Sequence, residues 1–177
     1  MSEKLEILPA QQLEQALAIG RLSHAYLLVG GTPEEKLETA RRMAAALNCT
    51  ARREGRACGL CPSCRQVFSG NHPDFHYLEP RGASLKIDQV RKLEIELKLK
   101  AFQGRAKVAV LNRVEDLTLE AANCLLKILE EPPPNVYFFF WRPSRMRFYP
   151  QFAPVVRSFI SPPRGSLLLG GFTGKRS

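Results

Sequence analysis

Apolar positions along this chain fall into two alternating kinds of segment. Short unbroken runs, AYLLV at Ala25–Val29, KVAVL at Lys107–Leu111 and VYFFFW at Val136–Trp141, are rich in β-branched or aromatic residues and predict buried strands. Asp74 to Leu78 predicts one more. The intervening segments have helical character. They are Gln11–Ile19, with Leu13, Ala16 and Leu17 on one face; Pro33–Leu47; Ile87–Lys98, with Ile87, Val90, Leu93 and Leu97 at helical spacing; and Thr118–Glu131. Punctuation supports these bounds. Gly30 and Gly31 break the first strand, and Pro33 opens a helix with Glu34 and Glu35 where the dipole favours them. Pro132, Pro133 and Pro134 stop the last helix. The order β-α-insert-β-α-β-α-β predicts an α/β domain with a parallel sheet flanked by helices. There is no internal repeat.

No apolar run approaches the ~18 residues of a membrane span. The opening MSEKLEILPA is acidic and lacks the apolar centre of a secretory signal, so a cytoplasmic protein is expected. A content of 45% hydrophobic and 24% charged residues is that of a globular protein. The net charge of +9 invites a nucleic-acid reading, but its distribution is uneven. Residues 142–177 hold seven basic residues, no acidic ones and five of the 13 prolines, whereas residues 1–141 hold 19 basic and 17 acidic residues. Two regions are therefore expected: a domain over 1–141 and an aberrant basic tail over 142–177.

Cys49, Cys58, Cys61 and Cys64 form a C-x8-C-x2-C-x2-C cluster. Two overlapping C-x2-C steps turn thiolates onto one ion, and the longer loop brings the fourth. The expectation is a closed tetrahedral zinc site with a structural role. Disulfides would need an oxidising compartment, and iron–sulfur proteins typically space their cysteines differently. Cys124 lies inside an apolar helix and reads as core, and His24, His72 and His76 as packing or surface residues.

The strand–glycine–helix at 25–47 stands where a phosphate-binding loop would stand, and a working loop reads G-x-x-x-x-G-K-[ST]. Here Gly31 and Lys36 match the outer positions, but Glu35 replaces the second glycine and Leu37 the hydroxyl residue. After KVAVL, Asn112 and Arg113 stand where magnesium and water need carboxylates. Neither ATP binding nor hydrolysis is expected, which makes catalytic residues absent by expectation.

Taken in order, SHAYLLVGG, the four cysteines, NHPDFHYLEP, IDQVRKL, GRAKVAVLNRVEDLTLEAANCLLKILEEPP and NVYFFF resemble the AAA+ domain of the bacterial DNA polymerase III clamp-loader subunits, over residues 5–141. The resemblance implies an AAA+ (P-loop NTPase-like) fold with a small four-cysteine zinc insertion. The replacements at Glu35, Leu37, Asn112 and Arg113 point to its delta prime branch, which keeps the fold but hydrolyses nothing. What the resemblance implies is a non-catalytic part of a DNA-directed DNA polymerase (nucleotidyltransferase) complex. Its partners would be the gamma/tau and delta subunits and, through the assembled complex, the sliding clamp and primed DNA. Family members offer a neighbour an arginine from a Ser-Arg-Cys motif after the fourth strand, and this sequence lacks it. The lid and collar domains are missing too.

The tail explains that departure in another reading frame. Arg145 to Arg157 admit codons that, read two bases later, spell His-Ala-Ile-Leu-Pro-Thr-Ile-Arg-Ser-Arg-Cys-Gln. The expectation is a frameshift, in the gene or in its sequencing, near residues 139–142. Two rival functions remain: an active gamma/tau-type ATPase, and a zinc-dependent nucleic-acid-binding module drawing on the basic tail. In the 118–131 helix, Leu125, Leu126 and Leu129 are expected beneath the sheet, with Lys127 and Glu130 left to face a partner.

Overall fold

The computed structural model describes residues 9–29, 31–142 and 157–160. Its elements are α1 (Pro9–Ala18), β1 (Ala25–Val29), α2 (Pro33–Asn48), α3 (Pro62–Phe68), β2 (Phe75–Leu78), α4 (Ile87–Lys98), β3 (Lys107–Leu111), a 3-10 turn (Val114–Asp116), α5 (Leu119–Glu130), β4 (Val136–Arg142) and β5 (Arg157–Ile160). The five strands form one sheet in the order β2-β3-β4-β1-β5, and every pairing is parallel. Parallel neighbours need crossovers, which the helices supply on both faces. The expected parallel α/β architecture is therefore what this chain adopts.

Because successive strand residues face opposite ways, β1, β2, β3 and β4 each feed two cores. Ala25, Leu27, Ala109, Leu111, Phe138 and Phe140 join Leu93, Leu97, Leu125 and Leu129 of α4 and α5. Tyr26, Leu28, Val108, Val110, Phe139 and Trp141 join Leu13 of α1 and Met43 and Leu47 of α2. Leu125 and Leu129 are buried and Leu126 partly so, while Lys127 and Glu130 are exposed. Cys124 is only half-buried, with its thiol 3.8 Å from Glu94 Oε2.

The expected elements appear with ends displaced by two residues at most. Three pieces went unanticipated: α3, the 3-10 turn and β5. Helix α3 is only seven residues long and sits inside the cysteine segment, too short for a periodic pattern. The backbone of β5 pairs with β1, Tyr26 opposite Arg157 through Val29 opposite Ile160. This strand falls within the segment read as an aberrant tail. Arg142 of that segment ends β4, and the rest of it, with Arg145 and Arg147, lies outside the described residues. Among the described residues no helix is long and apolar enough to cross a membrane.

Two buried side chains fix the loop before β3. Asp74, 1% exposed, accepts from the backbone N–H of Phe102 (2.7 Å), Gln103 (2.9 Å) and Gly104 (2.8 Å). Asn48, at the end of α2, accepts from Arg105 N–H (2.7 Å) and Ala106 N–H (2.9 Å) through Oδ1. A Cβ on Gly104 would lie 2.2 Å from that oxygen, so only glycine fits.

Candidate metal centre and candidate nucleotide loop

The four cysteines are brought together as their spacing predicts. All four Sγ atoms lie within 4.8 Å of one another. A tetrahedron of thiolates at ~2.3 Å from one ion has edges of about 3.8 Å, so a modest contraction closes it. Cys49 follows the last turn of α2, and Cys61 is the N-cap of α3, which places Cys64 on its first turn. Cys49 and Cys64 are buried, and Cys58 and Cys61 partly so.

Backbone amides already point at the sulfurs. Cys49 Sγ accepts from Ala51 N–H (3.4 Å) and Cys58 N–H (3.3 Å), and Cys58 Sγ from Cys61 N–H (3.4 Å). The N–H groups of Cys61 and Leu60 lower the Cys58 thiol. At Cys61 burial opposes ionisation, but donors from Cys64 and Thr50 outweigh it and hold the thiol down to about 6. Burial, with the Cys61 sulfur beside it, pushes Cys64 up to about 12. Four thiols so close cannot all ionise alone, and a divalent cation supplies the charge that lets them.

The cysteine lobe is tied to the domain at points that no motif announces. Its hairpin pairs Arg53 with Arg56 across Glu54 (φ 48) and Gly55 (φ 78). A Cβ on Gly55 would stand 1.8 Å from the backbone oxygen of Glu14, so the turn is packed directly onto α1. Glu14 is 4% exposed despite its charge. Its Oε1 accepts from Arg42 Nη2 at 2.6 Å, and its Oε2 lies 3.2 Å from Arg56 Nε. A carboxylate that deeply buried needs such partners. On the other side, His72 Nε2 lies 3.0 Å from Ser63 Oγ, while Nδ1 accepts from Asp74 N–H at 3.2 Å. The accepting Nδ1 puts the ring proton on Nε2, so His72 donates to Ser63 and has no base to offer it. Ser63, His72 and Asp74 thus form a latch between α3 and the sheet rather than a nucleophilic triad. Burial lowers the His72 pKa and keeps the ring neutral.

The candidate nucleotide loop is closed on itself. Thr32 caps α2: its Oγ1 accepts from Glu35 N–H (3.2 Å), and Glu35 Oε2 accepts from Thr32 N–H (2.8 Å). A phosphate-binding loop offers free backbone N–H groups at this turn; here the Glu35 carboxylate takes one of them. Gly31 has φ +67, and a Cβ there would meet Glu35 Oε2 at 3.0 Å. Burial lowers the Lys36 pKa, with Glu115 and Glu35 nearby offsetting part of it, so its charge faces the chain's own carboxylates. At the end of β3, Asn112 Nδ2 donates to the Tyr77 hydroxyl at 3.0 Å. Arg113, at φ 57, turns back onto Asp116 at 2.5 Å. Leu37 packs against the core of Leu28 and Met43.

Residues 8–150 match the family model described as DNA polymerase III, delta subunit. The chain is 40% identical over 114 residues to DNA polymerase III subunit delta' of Bacillus subtilis (strain 168), covering 63% of this chain and 34% of that protein. It is 42% identical over 134 residues to the subunit delta' of Yersinia pestis, covering 73% and 39%. The chain thus spans a third to two fifths of these relatives' length. Among solved structures, a DNA polymerase III gamma subunit-related protein from Thermotoga maritima superposes with a TM-score of 0.59 at 18% identity, covering 86% of this chain and 47% of that one.

Proposed function

This chain belongs to the DNA polymerase III delta-subunit family, in its delta prime branch, and from that premise we propose that it serves DNA replication as a non-catalytic clamp-loader subunit. The observation that carries the second half is the capping box of α2. A loop whose donor is taken by Glu35, and whose lysine faces Glu115 and Glu35, has little to offer a triphosphate. Gly31, Glu35, Lys36, Leu37, Asn112 and Arg113 are on this reading a nucleotide site in position only. The rival reading, an ATP-hydrolysing gamma/tau-type motor, draws on the gamma-related fold neighbour. Calorimetric titration with Mg-ATP separates the two: no heat of binding is expected at millimolar nucleotide. Lys36→Ala, placed in the full-length parent protein within a reconstituted loader, should leave clamp loading within about twofold of wild type. A steep loss would favour the motor.

The cysteine lobe on this reading holds one structural zinc ion through Cys49, Cys58, Cys61 and Cys64. Sulfurs within 4.8 Å of one another suit a single ion, whereas an iron–sulfur cluster spreads its thiolates over several irons. The partners are gamma/tau and delta subunits, with the sliding clamp and primed DNA reached through the assembly in the cytoplasm. We further propose that residues 1–141 are the functional domain and that the reading frame changes near residues 139–142. Sequencing the coding DNA there should reveal the shift, and a confirmed written frame discards it.

A further inference from the structure

The body of the chain has little net charge, but what it has is gathered in one place. Residues 41–70 hold six arginines, no lysine and a single carboxylate, Glu54, while the rest of residues 1–141 holds 13 basic and 16 acidic residues. The structure folds this stretch into the cysteine lobe and the helix that carries it. We propose that the lobe is a binding surface for the phosphodiester backbone of DNA, formed by Arg52, Arg53, Arg56 and Arg65; Arg42, half-buried, is committed through Nε and Nη2 to Glu14.

Three features favour it. All four of these arginines are exposed. Most are held by one edge of the guanidinium. Arg65 donates through Nε to Leu60 O (2.8 Å), Arg52 through Nη1 to Ala46 O (3.2 Å), and Arg56 meets Glu14 through Nε (3.2 Å). For Arg65 and Arg56, that leaves the terminal N–H groups without a protein acceptor among the described residues. A guanidinium fixed in orientation with its fork free suits a phosphate, and arginine binds phosphate oxygens in pairs where lysine cannot. The lobe is also rigidly mounted on α1 and on the sheet through Gly55, Glu14 and His72, so little freedom is lost on binding. Part of the charge offsets the metal centre, because one divalent cation with four thiolates carries two negative charges. Even with Glu14 and Glu54 counted, the lobe stays positive. An acidic protein segment is the competing partner. The use of arginine alone and the open forks favour phosphate.

The test uses the full chain, loaded with zinc, and a short labelled DNA duplex of mixed sequence read by fluorescence anisotropy. Three or four phosphate contacts give a slope of about −3 for log affinity against log salt. Arg52→Ala, Arg53→Ala and Arg65→Ala together should weaken binding at least tenfold and flatten the slope by about 2.7, with metal content unchanged. Arg53→Ala alone, which removes no hydrogen bond, should weaken it about threefold and serves if the triple variant misfolds. Two results overturn the proposal. One is binding lost on replacing Arg164, Lys175 and Arg176 but kept in the lobe variants. The other is polyglutamate competing as well as DNA at equal charge.

Discussion

Replacing Cys61 with serine should release the metal and loosen the segment from Cys49 to Phe68. Serine keeps the N-cap position of α3 but offers a hydroxyl that does not ionise near neutral pH, leaving three thiols around the ion. Cys61 is also the thiol that the surrounding donors hold down to about 6, so the substitution removes a favoured thiolate. A structural zinc site contributes its binding energy to folding, about 10–16 kcal/mol in small zinc peptides. Here the latch to Ser63, the seat of Gly55 on α1 and the buried Val67 retain part of the lobe's packing. Metal affinity is expected to fall at least ~100-fold and the lobe to become the first site of proteolysis, while the sheet stays folded. Competition with a chromophoric chelator and timed proteolysis give the two readouts. Wild-type protein containing no zinc, or iron with sulfide, would defeat the assignment.

Asp74→Ala is the most damaging single change expected outside the lobe. It strands three backbone donors of residues 102–104 at once, next to a second set held by Asn48. Each stranded buried donor costs about 1–3 kcal/mol, and water reaching this part of the loop recovers some, so a loss of roughly 3–4 kcal/mol is expected. The effect has a pH signature. Burial pushes the Asp74 carboxyl up, but the N–H groups of Phe102, Gln103 and Gly104 outweigh it and hold it below the ordinary carboxylate range. A carboxyl depressed in the folded state stabilises above its unfolded pKa of ~3.9, and that contribution disappears as pH falls through the folded value. Urea titrations of wild type and variant should differ fully at pH 7, and the gap should begin to narrow only as pH falls below the unfolded value of ~3.9, shrinking further through the folded value. A gap that stays constant as pH falls through that acid range would mean that the carboxylate's charge is not what holds the loop.

Much of this molecule is legible in one dimension. The strands AYLLV and KVAVL and the helix Ile87–Lys98 begin and end where their apolar spacing puts them. The cysteine cluster is legible because C-x2-C steps constrain where sulfurs can go over a few residues of chain. The replacements at Glu35 and Leu37 are visible as departures from a known spacing. What the spacing does not convey is that Glu35 returns to Thr32 and takes the loop's own donor, since that depends on the backbone angles at the N-cap.

The contacts that no pattern reveals are long in sequence and polar in kind. Glu14 sits beside Leu13 on a short amphipathic helix and reads as a solvated charge. It is buried because the lobe hairpin and α2 close over it and bring Arg56 and Arg42 with them. His72 reads as one histidine among three, and only the approach of α3 to the sheet gives it Ser63 to bond. Asp74 and Asn48 look like ordinary turn and helix-end residues until the loop before β3 is folded against them. Local propensity and hydrophobic period determine which segments become helices and strands, because those depend on neighbours within a turn or two. Which buried polar group meets which is decided only when segments tens of residues apart are packed together, because a hydrogen bond needs its partner at about 3 Å and the sequence carries no measure of that distance.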